Sequence, residues 1–179
     1  MKKKLIVPLA LVLAMLLCMP AMAATVCKIG SKGYGSLQEA INNVKDGQTI
    51  KVTKVIKATE MVVTYKDIPN QPRVYPKFTI DFKKKKYTYR GFDYAFRIGS
   101  SAVTFKNINF DVQRGIVFRF NGQKGSLVIT GGKYSGGTIA TILAQDKPDA
   151  FKLTIKKGTF NQKSIFDAAF TNYGTLIIN

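Results

Sequence analysis

SLVITGGKY, Ser126 to Tyr134, decides the fold, because the same phrase recurs along the chain at nearly constant spacing. KLTIKKGTF (Lys152 to Phe160) and AVTFKNINF (Ala102 to Phe110) repeat it, with an aliphatic residue in second place, Ile or Phe in fourth and an aromatic in ninth. KFTID (Lys77 to Asp81), TIKVT (Thr49 to Thr53) and TLIIN (Thr175 to Asn179) are shorter copies that reach the fifth place. The second place holds Ile50, Phe78, Val103, Leu127, Leu153 and Leu176, separated by 28, 25, 24, 26 and 23 residues. The fourth holds Val52, Ile80, Phe105, Ile129, Ile155 and Ile178, all apolar. This period-two alternation is that of a strand with one buried face.

A second apolar segment lies about halfway between copies: YAFRIG (Tyr94 to Gly99), IVFRFNG (Ile116 to Gly122), TIATILA (Thr138 to Ala144) and SIFDAAF (Ser164 to Phe170), with MVVTY (Met61 to Tyr65) in that role first. Gly91, Gly99, Gly115, Asn121-Gly122, Gly131-Gly132, Gly136-Gly137 and Gly158 mark corners. A repeat near 25 residues signals a solenoid, and the Asn or Cys ladder of leucine-rich repeats does not recur. Strand, corner, strand, corner, with no helix between, requires each turn to lie on the last in parallel register. The predicted fold is all-β, a right-handed parallel β-helix of about six short rungs over residues 49–179. Ahead of it, residues 24–48 hold a loop-like stretch from Gly30 to Gly35 and SLQEAINNV (Ser36 to Val44). Ser36 with Glu39 forms a capping box, and Leu37, Ala40, Ile41 and Val44 share one face, so an amphipathic helix is expected to cap the first rung.

The stretch GYGSLQEAINNVKDGQTIKV (Gly33 to Val52) and the rung phrases resemble the pectin-lyase-like β-helix superfamily over almost the whole chain after residue 23. The resemblance implies the fold but no single activity, since that superfamily holds lyases, hydrolases, adhesins and phage tailspikes. The motifs of its pectinolytic members (Trp-Ile-Asp-His, Arg-x-Pro-x-x-Arg, Asn-Thr-Asp, Gly-His-Gly) are missing, and the chain has no histidine. A lyase on this fold would need clustered carboxylates for calcium and a basic residue as base. Asp81, Asp93, Asp111, Asp146, Asp149 and Asp167 are instead scattered, and Asp146 and Asp149 read as a solvated turn. No catalytic residue, metal ligand or cofactor is therefore assigned.

Lys2 to Lys4, the apolar run Leu5 to Met19 and Ala21-Met22-Ala23 read as a secretory signal peptide over residues 1–23, cut before Ala24. The run is shorter than the roughly 20 residues of a membrane span, and bulky Leu17 argues against lipid attachment at Cys18. Cleavage leaves 156 residues and lowers the net charge from +18 to +15. Cys27 then stands alone, as a small apolar residue or as the anchor of a bridge to a second chain. No integral membrane anchor is expected; the product is released or adheres by charge.

Two basic features are candidate binding residues. Arg97 and Arg119 occupy matching points of AFRIG and VFRFN and should stack on one outer face, where guanidinium groups suit carboxylate or sulfate. Lys83, Lys84, Lys85 and Lys86, followed by Tyr87 and Tyr89, form the densest basic and aromatic patch, with tyrosines placed to stack on sugar rings; a solvated loop protecting an edge is the alternative. The third places, Lys51, Thr79, Thr104, Val128, Thr154 and Ile177, break a threonine ladder at three of six positions and read as ordinary β-branched surface. The expected role is non-catalytic binding of an anionic polysaccharide or cell-wall polymer. A truncated polysaccharide lyase, and a structural or adhesin module stacking through its last rung, stand as alternatives; nucleic acid is not expected, because no recognised module accompanies the charge. TLIIN has no cap after it, so the last rung packs on a partner or the chain is a fragment. Expressed with residues 1–23 in a secreting bacterium, the released protein should begin at Ala24 by intact mass; a product retaining Lys2 to Lys4 would refute the cleavage reading.

Overall fold

Short strands and tight corners make up most of the computed structural model, which describes residues 24–66, 68–113, 116–120, 124–138, 140–142, 151–162, 170–172 and 175–179. The signal segment 1–23, the corner residues Gly115, Asn121 and Gly122, residues Asp146, Asp149 and Asp167, and 164–169 of SIFDAAF lie outside the described residues. A hairpin of β1 (Cys27–Ile29) and β2 (Lys32–Tyr34) precedes α1 (Leu37–Asn43). Strands then come in threes: β3 (Thr49–Val52), β4 (Ile56–Ala58) and β5 (Val62–Val63); β6 (Lys77–Asp81), β7 (Tyr87–Tyr89) and β8 (Tyr94–Ile98); β9 (Ala102–Lys106), β10 (Ile108–Val112) and β11 (Ile116–Phe120). The same order continues with β12 (Gly125–Ile129), β13 (Gly132–Gly136) and β14 (Ala140–Ile142); β15 (Phe151–Ile155), β16 (Thr159–Gln162) and β17 (Phe170–Asn172); and finally β18 (Thr175–Ile178).

Every third strand joins the same sheet. The first sheet runs β18-β15-β12-β9-β6-β3-β1-β2, the second β16-β13-β10-β7-β4 and the third β17-β14-β11-β8-β5. From β3 onward, neighbouring strands within each sheet are parallel. Among the described residues no helix is long and apolar enough to cross a membrane.

Three differences from the sequence reading have physical causes. The repeat contains three strands, not two, because the nine-residue phrase hides a corner: SLVITGGKY covers the end of β12, a bend at Gly131 and the start of β13. The first copy is aligned two residues away from its expected place, with Ile50 opposite Ile80 rather than Phe78. A two-residue slip leaves inward and outward faces unchanged, so the hydrophobic pattern is blind to it. Finally, the stretch from Gly30 to Gly35 is not all loop: β2 lies in it, and the hairpin places β1 antiparallel against β3. That pairing occupies the β3 edge, which would otherwise template association.

Four of the five corners from the first sheet to the second, all but the one after β3, use left-handed backbone. Lys83 (φ 51), Lys84 (φ 58), Asn107 (φ 52), Gly131 (φ 148), Gly132 (φ 122) and Gly158 (φ 153) all sit there. A side chain in this region costs about 1–2 kcal/mol per residue. Gly132 faces a second constraint, since a Cβ would lie 2.1 Å from the Ile108 carbonyl oxygen on the preceding repeat.

Inward residues stack on their equivalents. Phe78, Val103, Leu127 and Leu153 form one ladder and Ile80, Phe105, Ile129 and Ile155 the next, all buried. Where the three sheets face one another, Phe82, Tyr87, Phe96, Phe105, Phe110 and Phe118 interlock; Phe96 and Phe110 stack at 5.5 Å and Phe82 meets Phe110 edge-on at 4.8 Å. Aromatic pairs of this kind contribute about 0.5–1.5 kcal/mol beyond their burial.

At the amino-terminal end, Ser36 Oγ accepts from Glu39 N at 3.1 Å and Glu39 Oε2 accepts from Gly35 N at 2.8 Å, so α1 starts where the capping box places it. Leu37, Ala40, Ile41 and Val44 are buried against the core. Gln38 reaches across to accept the Val63 N–H of β5 at 2.9 Å. Cys27 is fully buried, which agrees with a small apolar residue and removes it from the surface where a second chain would bridge to it.

Replacing Gly132 by Ala should destabilise the protein by about 2 kcal/mol or more in urea unfolding, from clash and strain together. Gly131→Ala, whose Cβ meets nothing within 4 Å, should cost only the strain, about 1 kcal/mol. Equal losses would refute the close approach at Gly132.

Candidate anion-binding face

The outer face of the first sheet collects lysines. In the column that ends each strand phrase, Lys28 lies opposite Lys51, Lys51 beside Asp81 and Asp81 beside Lys106, and Lys156 follows Ile155 at the end of β15. In the column that begins each phrase, the order across β6, β9, β12 and β15 is Lys77, Ala102, Ser126 and Lys152. All six lysines are exposed. Between these columns runs Thr49, Thr79, Thr104, Val128, Thr154 and Ile177. The corrected register puts Thr49 where Lys51 was expected, so four of the six are threonine and all are β-branched.

Like charges directly opposite one another in a sheet oppose folding. Lys28 beside Lys51 therefore does nothing for the fold, and an anion from outside would relieve the pair. Asp81 offers little relief, because it is already engaged. It accepts from Lys83 N at 2.9 Å and Asn107 Nδ2 at 2.9 Å, and Lys83 Nζ lies 3.6 Å away. Partial burial pulls its pKa up, but the Asn107 and Lys83 hydrogen bonds outweigh it and leave the carboxyl below its usual range.

Of the residues singled out in sequence, Lys83 to Lys86 form the corner next to the lysine-rich column. Lys84 and Lys85 are exposed and carry no ion pair among the described residues, so they extend the basic surface around the edge. Lys86 turns the other way, onto the second sheet, where its Nζ lies 2.9 Å from Asp111 Oδ2 and Arg90 Nη2 approaches the same oxygen at 3.4 Å. Tyr87 and Tyr89 are a correction. They are inward residues of β7, 0 % and 2 % exposed, and cannot stack on a sugar ring. Tyr-Thr-Tyr alternates like any other strand here, and the lysine run ahead of it made it look like part of a loop. The Tyr87 hydroxyl is buried with no partner, and burial pushes its pKa far up.

Arg97 and Arg119 are brought together in the third sheet, directly in register on β8 and β11. Both are half-buried. The Arg119 guanidinium lies 4.4 Å from the Tyr94 ring centroid and donates to the Tyr94 hydroxyl, while its Nε is buried with no partner. This is a second like-charge pair in register, with Arg119 held by a cation–π interaction.

Lys28, Lys51, Lys77, Lys106, Lys152 and Lys156 were not singled out in sequence. Their signal was legible in part: Lys77 and Lys152 open a strand phrase, and Lys106 and Lys156 occupy its fifth place. Among the described residues no three His, Cys, Asp or Glu side chains gather as a metal site would. Compared with known proteins, the chain matches no family model, no curated protein and no solved structure.

Asp111 supplies a pH test of the second-sheet charge cluster. The Lys86 hydrogen bond, aided by Lys86 and Arg90 charge, holds its carboxyl below the usual range against partial burial. A depressed folded pKa stabilises above the unfolded value, near pH 3.9, and the gain is lost as pH falls through the folded pKa. Wild type should therefore melt higher than Asp111→Asn at pH 7, and the gap should close on acidification below about pH 4. A gap that persisted at low pH would show that the ion pair is not its source.

Proposed function

We propose that this chain is an exported, right-handed parallel β-helix of the pectin-lyase-like kind, capped by α1, that binds an anionic polysaccharide or cell-surface polymer and has no catalytic activity of its own. The cyclic order of the three parallel sheets supports the β-helix reading, and the strong right-handed preference of parallel crossovers supports the hand. The basic-apolar start of residues 1–23 supports export.

One observation carries the binding reading: six exposed lysines on a single sheet face, two of them directly opposed, with Asp81 as the one acid in their columns and already occupied. A regular array of cations on a rigid sheet suits a polymer with repeating anions better than it suits a small ligand. Arg97 beside Arg119 adds a second place for a carboxylate or sulfate. That pair also favours the competing reading, a truncated lyase using one arginine as base.

The protein should be retained on an immobilised acidic glycan at low salt and elute as salt rises. Equal retention on a neutral matrix would overturn the electrostatic reading. An absorbance assay for unsaturated products on polygalacturonate with calcium should stay flat; signal lost in Arg97→Ala or Arg119→Ala would establish the lyase instead.

A further inference from the structure

The first sheet's outer face is not flat. Lys77, Ala102, Ser126 and Lys152 stand in register on four consecutive strands, so two small side chains lie between two long ones. Over Ala102 and Ser126 the surface sinks into a trough of about 250 Å³, lined also by Thr79, Thr104 and Val128 of the neighbouring column. Because the small pair is stacked from strand to strand, the trough runs across the strands rather than along them. Lys77 lines one end, and Lys152 stands in register one strand beyond Ser126 at the other; with strand spacing about 4.8 Å the two are about 14 Å apart.

We infer that this trough seats a single extended strand of anionic polysaccharide, lying across β6, β9, β12 and β15 with its acidic groups on Lys77 and Lys152. The inference rests on the proposed anionic-polymer reading and names its site, direction and chemistry. The hydroxyls of Thr79, Thr104 and Ser126 each offer a donor and an acceptor, as a chain of sugar hydroxyls requires. No acidic residue lines the trough. Asp46, next to Gly47 of the lining, spends Oδ1 on the Lys77 N–H at 2.9 Å. Neither Lys77 nor Lys152 has an ion pair among the described residues, so both ammonium groups meet a ligand without first breaking a contact. A linear chain of sugars matches a narrow depression; a lipid surface does not enter it, and the one aromatic of its lining, Phe78, is buried and offers bases no face on which to stack.

The test is titration of the full chain with a length series of galacturonate oligomers at low salt, beside heparin oligomers and neutral maltooligomers. Affinity should rise with length until the oligomer spans the two lysines, about 14 Å, and then level off. Length-dependent binding of either acidic series supports the assignment, and the tighter series identifies the anion as carboxylate or sulfate. Lys77→Gln and Lys152→Gln should each weaken binding about threefold to fivefold. Ser126→Tyr, which fills the trough without changing charge, should abolish binding of short oligomers while retention on the acidic matrix persists. Lys133→Gln, with the same charge loss on the second sheet, should titrate like wild type.

If wild type is retained on the matrix but the three trough variants bind as it does, the trough is not the seat. If Lys133→Gln costs as much as Lys77→Gln, net charge alone attracts the ligand and the assignment falls. A wild type that is not retained at all instead sinks the underlying anionic-polymer reading. The two Gln variants are exposed and bury nothing, so they decide the matter even if Ser126→Tyr fails to fold.

Discussion

The corner between the first and second sheets is the constraint on which the rest depends. A parallel strand hydrogen-bonds its neighbour only if both arrive at the corner in step, and the corner is too short to absorb an error. The Ile108 N–H donates to the Gly131 carbonyl at 3.1 Å, and the Phe82 and Lys84 N–H groups reach the Lys106 and Asn107 carbonyls at 3.0 Å. These bonds tie corner to corner as the ladders tie strand to strand. The interior then has no freedom of its own: once the corners are in step, Phe82, Phe96 and Phe110 must meet. Two successive lysines in left-handed backbone are a strained solution, held by the Asp81 carboxylate on the Lys83 N–H.

Much of this architecture is legible in the sequence because burial imposes a period of two on every strand. Phe78 to Leu153 and Ile80 to Ile155 align as their pattern predicts. What the pattern cannot carry is anything invariant under a shift of two, hence the displaced alignment of Ile50. Nor does it reveal a corner made by one residue, hence the second-sheet strands concealed inside Asn107 to Phe110 and Gly131 to Tyr134. The hairpin at Cys27 to Tyr34 escaped for a related reason: three-residue strands around Gly30 offer too few alternations to stand out.

The candidate site was less legible, because it arises between repeats. Lys28 and Lys51 are 23 residues apart in sequence and adjacent in space only through an antiparallel pairing that the repeat does not predict. Ala102 and Ser126 are unremarkable in their own strands and become a depression only when stacked between Lys77 and Lys152. By contrast, local density of charge and aromatic residues misled at Tyr87 and Tyr89, whose side chains belong to the core. The candidate site on this scaffold is written in columns that cross the strands, and a linear reading sees one letter of each column at a time.

Cys27 has a consequence for where such a protein can work. It is the sole cysteine after residue 23, is fully buried, and burial with the nearby Glu39 charge pushes its pKa up to about 12. At neutral pH the thiol then stays protonated, and the thiolate is the species that reacts. Oxidants, metals and thiol exchange therefore find nothing to attack, and the fold relies on no covalent bridge. Among the described residues, then, nothing in the fold depends on redox potential: its packing is the same under reducing as under oxidising conditions.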